Sequence, residues 1–263
     1  MRRFIVVSVV IFLVFVATCK AQNATIDSGT PKWSGSYSAN VGNRYVGTTV
    51  CAVFANQTVV QQEVDITRSI GKTSITGTIW NSTGTTPSTW FNSYAYETDI
   101  DLNVARRIGK YDASIGGWMF LLEPGAKTNV PVLDVKIARS LSRGHNIFTP
   151  FTETQWYGTT NGKAAGYYGG VYPMLGMAYE RSLAERISFS SRFHTNYDAM
   201  GGFGKSAGKL VFSADAGLRI SMTGSSALSA HGGLVGAYHD PARGAYTGRP
   251  RIPVFSIGIS KSF

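Results

Sequence analysis

From residue 33 onward the chain keeps repeating one pattern: apolar and polar side chains alternate until a cluster of Gly, Pro, Asn, Ser or Thr interrupts them. Successive side chains of an extended strand point to opposite faces, so this period of two predicts strands with two unlike sides. The clearest case is residues 94–108, where Thr98, Ile100, Leu102 and Val104 oppose Glu97, Asp99, Asp101 and Asn103. Val60, Val64 and Ile66 oppose Gln61, Glu63 and Asp65 in the same way, and Leu133, Val135 and Ile137 oppose Asp134 and Lys136. Later, Ile187, Phe189, Phe193 and Tyr197 face away from Arg192, His194 and Asn196, and Leu210, Phe212, Leu218 and Ile220 from Ser213, Asp215 and Arg219. In the last ten residues Phe255, Ile257, Ile259 and Phe263 share a parity that only Lys261 interrupts, against Val254, Ser256, Gly258, Ser260 and Ser262.

The connections have a rhythm of their own. Short turns at Gly71-Lys72, Gly109-Lys110, 142–144, 183–185 and 223–226 alternate with longer polar stretches. These are a loose segment holding Cys51 and Asn56, and residues 82–90, 123–127, 158–163, 200–208 and 240–248. The result is about twelve strands and no segment of helical period. A face of large apolar groups backed by a small, polar one suits a barrel wall with an oily outside and a wet inside.

Composition sharpens that picture. Charged residues are 15% of the 263-residue chain, against roughly 25% in soluble proteins, with 30 glycines and 12% aromatics. No stretch after residue 21 approaches the ~20 apolar residues of a membrane helix, so a bilayer could be crossed only by strands. Arg2 and Arg3, the apolar residues 4–17 and Cys19-Lys20-Ala21 read as a secretory signal peptide over residues 1–21. Residues 22–32 follow as an exposed polar leader and 33–263 as a single barrel domain. Loss of the signal would lower the formal charge of +10 by three and leave Cys51 as the lone cysteine, excluding an internal disulfide. Asn23, Asn56 and Asn81 open glycosylation sequons of the kind that arise by chance in Asn- and Thr-rich sequence.

The terminal Phe263 behind alternating apolar residues resembles the closing strand of bacterial outer-membrane β-barrels, and the whole mature length resembles that class, more loosely its small porins. The resemblance implies an all-β, closed antiparallel up-and-down transmembrane barrel in the outer membrane. Outer-membrane lipid would surround it, and the barrel-assembly machinery would read its last strand. An open edge is not tolerated in hydrocarbon, so residues 255–263 should zip against 33–45. Trp33, Tyr45, Tyr94, Tyr111, Trp156, Tyr157, Tyr167, Tyr179, Tyr197, Tyr238 and Phe263 are expected in two interfacial belts.

With the apolar parity on lipid, the lumen receives Glu63, Asp65, Glu97, Asp99, Asp101, Asp134, Lys136, Glu153, Glu180, Arg192, His194, Asp215, Arg219 and His231. The acids lead and Arg192 and Arg219 follow, an arrangement that would set a transverse field across a pore. Passive passage of small hydrophilic solutes is the leading function. A barrel plugged by charge pairs and acting through its loops is the alternative, and a lipid hydrolase a third. Against the hydrolase, Arg192-Phe-His-Thr-Asn196 carries Asn196 where the outer-membrane phospholipase motif has serine. No cofactor is called for: His145, His194, His231 and His239 lack ligand spacing, and Gly201-Gly-Phe-Gly204 lacks the context of a phosphate loop. The basic excess sits at turns, as at Arg68, Lys72, Arg106, Arg107 and Lys110, which suits headgroups better than nucleic acid.

Overall fold

The computed structural model describes residues 32–47, 52–87, 95–121, 129–158, 169–198, 209–239 and 251–263. Residues 1–21 expected as a signal peptide, most of the expected leader, Cys51, Asn23, Tyr94, Tyr167 and the loops at 123–127, 200–208 and 240–248 lie outside the described residues.

Fifteen strands are formed among the described residues: β1 (Lys32–Gly42), β2 (Tyr45–Gly47), β3 (Ala52–Ala55), β4 (Val59–Ile70), β5 (Thr73–Gly84), β6 (Ala95–Ile108), β7 (Tyr111–Leu121), β8 (Asn129–Ala138), β9 (Leu141–Arg143), β10 (Asn146–Tyr157), β11 (Gly170–Ala184), β12 (Ile187–Asp198), β13 (Lys209–Ser221), β14 (Ser226–His239) and β15 (Arg251–Ser262). All pairings are antiparallel: from β4 to β15 each strand pairs with the next except that β8 and β9 both pair with β10, β10 also pairs with β11, and β1 pairs with both β4 and β15. Because β9 prolongs β8 along the same partner, the sheet is a closed barrel of twelve staves.

Closure occurs where it was expected. Ser36 pairs with Ser262 and the ladder runs to Gly42 with Ser256. Gly35 and Phe263 exchange both backbone hydrogen bonds at 2.9 Å, so the terminal residue is the last rung. Glycine is required opposite it: a Cβ on Gly35 would come within 2.6 Å of the Phe263 ring and 2.9 Å of the Asp65 carbonyl oxygen.

The two parities sort as the periodicity predicts. Ile100, Leu102, Leu133, Ile137, Phe193, Leu218, Phe255, Ile257 and Ile259 are all exposed on the outer surface. An apolar girdle of that extent far exceeds what a soluble monomer leaves in water. The staves, from 10 residues in β8 to 15 in β11, are long enough for the ~9–11 residues that a tilted strand needs to cross a bilayer.

Several boundaries move. Lys32 opens β1 rather than ending the leader, β5 runs to Gly84 into the loop expected from residue 82, and Leu141–Arg143 is strand where a turn was expected. The break between β8 and β9 has a local cause. Arg139 donates to the Pro150 carbonyl at 3.1 Å, and proline has no N–H with which to return the bond. The Gly71-Lys72 and Gly109-Lys110 turns use glycine at φ 57° and 61°, in the left-handed region that a two-residue hairpin demands. The largest departure lies between β1 and β4, where the loose segment forms a second sheet, β2 paired with β3.

Candidate functional site in the barrel lumen

The β2–β3 hairpin folds into the barrel. At the end of β1, Asn43 is clamped to β15: its N–H donates to the Phe255 carbonyl, and its side-chain oxygen accepts from the Phe255 N–H, both at 2.9 Å. The chain then enters the lumen as a strand, so consecutive side chains point opposite ways. Tyr45 packs with Val59, Val130, Val132, Tyr157 and Tyr172 on one wall, whereas Val46 packs with Val211, Val235, Ala237 and Ile252 on the other. Burying each of these side chains stabilises the inward position by roughly 1.5–3 kcal/mol. The Tyr45 hydroxyl also donates to Glu97 Oε2 at 2.5 Å, and its ring lies 5.6 Å from that of Trp80.

This corrects two expectations. Tyr45 and Tyr157 are not belt residues but part of an internal apolar layer, whereas Trp33, Tyr111, Trp156, Tyr197 and Phe263 are exposed as a belt requires. Nor is the interior polar along its whole height. Val59, Val130, Val132, Val211, Val235 and Ile252 stand on the lumen parity at the ends of strands that lead to the long connections. That run of inward valines was the sequence signal for something apolar docking inside, and a reading tuned to charge passes over it.

Against the hairpin lies a cavity of about 820 Å³. Of the predicted lumen residues, Asp101, Asp134, Lys136, Glu153, Arg192, His194, Asp215 and His231 line it; Glu63, Asp65, Glu97, Asp99, Glu180 and Arg219 do not. Most of the acids occupy an arc of β4, β6 and β8, which also holds Lys136, while Arg192 and His194 on β12, Arg219 on β13 and His231 on β14 occupy another, which also holds Asp215. In the ring of twelve staves β6 and β13 are six apart, so the arcs are centred on opposite sides. Arg44, which the sequence reading missed, enters the cavity from the foot of the hairpin, and its Nε has no hydrogen-bond partner among the described residues.

Individual environments differ. Asp65 accepts from Ser36 Oγ at 2.9 Å and Thr78 Oγ1 at 2.6 Å, which anchors it to the wall. Asp99 lies between its cross-strand partners Trp80 and Phe120. Glu153 is nearly buried and bridges two cations, Lys136 Nζ at 3.5 Å and Arg192 Nη2 at 3.8 Å. The same two cations lie over the Phe151 ring, 4.5 and 4.8 Å from its centroid. That ring fits because its neighbour is Gly176, where a Cβ would come within 2.7 Å of it. Asp215 Oδ2 lies 3.7 Å from His231 Nδ1, and Arg219 is paired in register with Ser188 and Ser229.

His194 is buried opposite Ser213, and its Nε2 has no hydrogen-bond partner among the described residues. No group of three metal-binding side chains occurs among the described residues.

A closed antiparallel barrel with an apolar exterior and an ionisable interior is a transmembrane β-barrel of the outer-membrane type. The chain is similar to the outer-membrane channel COG4313 of Pseudomonas putida F1, with a TM-score of 0.54, 8% identity, and coverage of 94% of this chain and 100% of the other. The NanC porin gives a TM-score of 0.55 at 9% identity over 86% of this chain and 98% of its own. The KdgM porin, solved in complex with oligogalacturonate, gives 0.50 at 6% identity over 88% and 99%. At such identities the likeness is one of fold. No protein-family model matches the sequence, and no curated protein is similar to it.

Proposed function

We propose that the protein is a porin-like channel of the bacterial outer membrane that lets small hydrophilic solutes diffuse passively through its lumen. The observation that carries this reading is the cavity itself: about 820 Å³ walled by Asp101, Asp134, Arg44 and Arg192 in a barrel whose outside is apolar. Lining of that kind replaces bilayer by a polar path, and charges on opposite arcs favour solutes that align with the field. The channels and porins of similar fold support it. In this reading residues 1–21 are a secretory signal, 33–263 are the barrel, the long connections face outward, and the strand ending in Phe263 is what the assembly machinery reads. The hairpin is then the constriction.

Planar-bilayer recording of the purified, refolded protein tests the proposal. Discrete conductance steps in potassium chloride are expected, and their absence would overturn it. The hairpin itself favours a second reading, since it is anchored to both walls at once: a plugged barrel acting through its loops. The recording separates the two, because a plugged barrel is silent until residues 44–57 are replaced by a short turn, whereas a constricted one conducts beforehand.

A further inference from the structure

Four consecutive staves present an indole, a carboxylate, an indole and a carboxylate to the cavity: Trp80 on β5, Asp101 on β6, Trp118 on β7 and Asp134 on β8. Asp101 and Trp118 are direct cross-strand partners. Trp80 pairs with Asp99 and so lies diagonal to Asp101; Trp118 pairs with Val132 and so lies diagonal to Asp134. Direct and diagonal pairs on one face of a sheet are within reach of large side chains. Space for the arrangement comes from Gly116, which stands in register between Asn103 and Asp134. A Cβ there would come within 2.8 Å of Asn103 Nδ2 and 3.3 Å of the Asp134 carboxyl carbon.

Asp101 and Asp134 form no ion pair among the described residues, although Arg44 lines the same cavity. Lys136, the base on the same wall, is engaged by Glu153, and so is Arg192 across the lumen. Asp101 Oδ1 has no hydrogen-bond partner among the described residues. An indole attracts a cation through its ring quadrupole, and a carboxylate attracts it by charge. A bare metal ion would want oxygen on every side, which indoles do not supply. A neutral sugar would use the rings but leave the charge unmet. An organic cation uses both, and one clothed in alkyl groups also covers the rings.

We propose that this wall is a binding station for small organic ammonium solutes, with Trp80 and Trp118 contacting the N-alkyl groups and Asp101 and Asp134 neutralising the charge. The inference rests on the channel reading and names the solute class for it. It is tested on the refolded full-length barrel by titrating tryptophan fluorescence with choline chloride, with glucose and sodium acetate as controls, and by single-channel block of potassium current by choline. A saturable response to choline alone is expected, weakened at least tenfold in Asp101→Asn. Choline block should be lost in Trp118→Leu. Asp101→Asn is near-isosteric, so the test stands even if Trp118→Leu does not fold. A barrel that conducts potassium but shows no saturable choline effect overturns the station and leaves the channel. Choline binding to a barrel that never conducts keeps the station and overturns the channel. Glucose binding that survives Asp101→Asn overturns the station in favour of a sugar platform.

Discussion

Tyr45 donates its hydroxyl hydrogen to Glu97 across 52 residues of chain, tying the inward hairpin to stave β6 at a point where the carboxylate is only 3% exposed. Tyr45→Phe leaves that carboxylate buried without this donor, at a cost of about 1–3 kcal/mol. The hairpin should then leave its inward position more often, and single-channel traces should show added opening noise. Traces identical to those of the unaltered protein would mean that the apolar contacts alone hold it.

The opposite anchor is purely apolar. Val46→Asp would place a charge among the apolar side chains of Val211, Val235 and Ile252. The hairpin should be expelled while the staves remain paired, raising conductance several-fold with unchanged heat-modifiable mobility on gels. A fall in conductance would count against the hairpin as constriction.

Closure depends on the pairing of Gly35 with Phe263. Gly35→Val puts a branched side chain where the ring of the terminal residue lies and should prevent the seam from sealing. An unsealed edge is intolerable in hydrocarbon. Loss of the compact, heat-resistant species after refolding into detergent micelles is expected, and Phe263→Ala should weaken it less because the backbone rung survives. Normal refolding of Gly35→Val would show that the seam tolerates displacement of the ring.

Charge placement predicts ion preference. Neutralising Asp101 and Asp134 together should move the reversal potential in a potassium chloride gradient toward anion preference, and Arg192→Gln should move it the other way. Both shifts should shrink as salt rises, because charges lining a wet lumen are screened over about 10 Å at 0.1 M. Reversal potentials indifferent to both changes would remove the basis for a transverse field.

Much of this molecule was legible before folding, for reasons visible in single strands. Ile100 faces out and Asp101 faces in because neighbouring side chains on any strand diverge, and Phe255 through Phe263 could be assigned to a seam because hydrocarbon forbids an open edge. The direction of Arg192, His194 and Asp215 followed from the same parity. Tyr45 defeated that method: carrying the parity of β1 on past Gly42 puts Tyr45 on the outer face, but the strand ends at Gly42 and the position of the next segment depends on surfaces it meets only in space.

Alternation along the chain, by itself, determined a barrel of twelve staves, its two faces and the strands that close it, because strand parity is a local property of the backbone. Tertiary structure alone decided that the first long connection turns inward and that Trp80, Asp101, Trp118 and Asp134 share one wall. The hairpin's two anchoring surfaces come from β4, β8, β10 and β11 on one side and β13, β14 and β15 on the other, and they face one another only once the ring has closed.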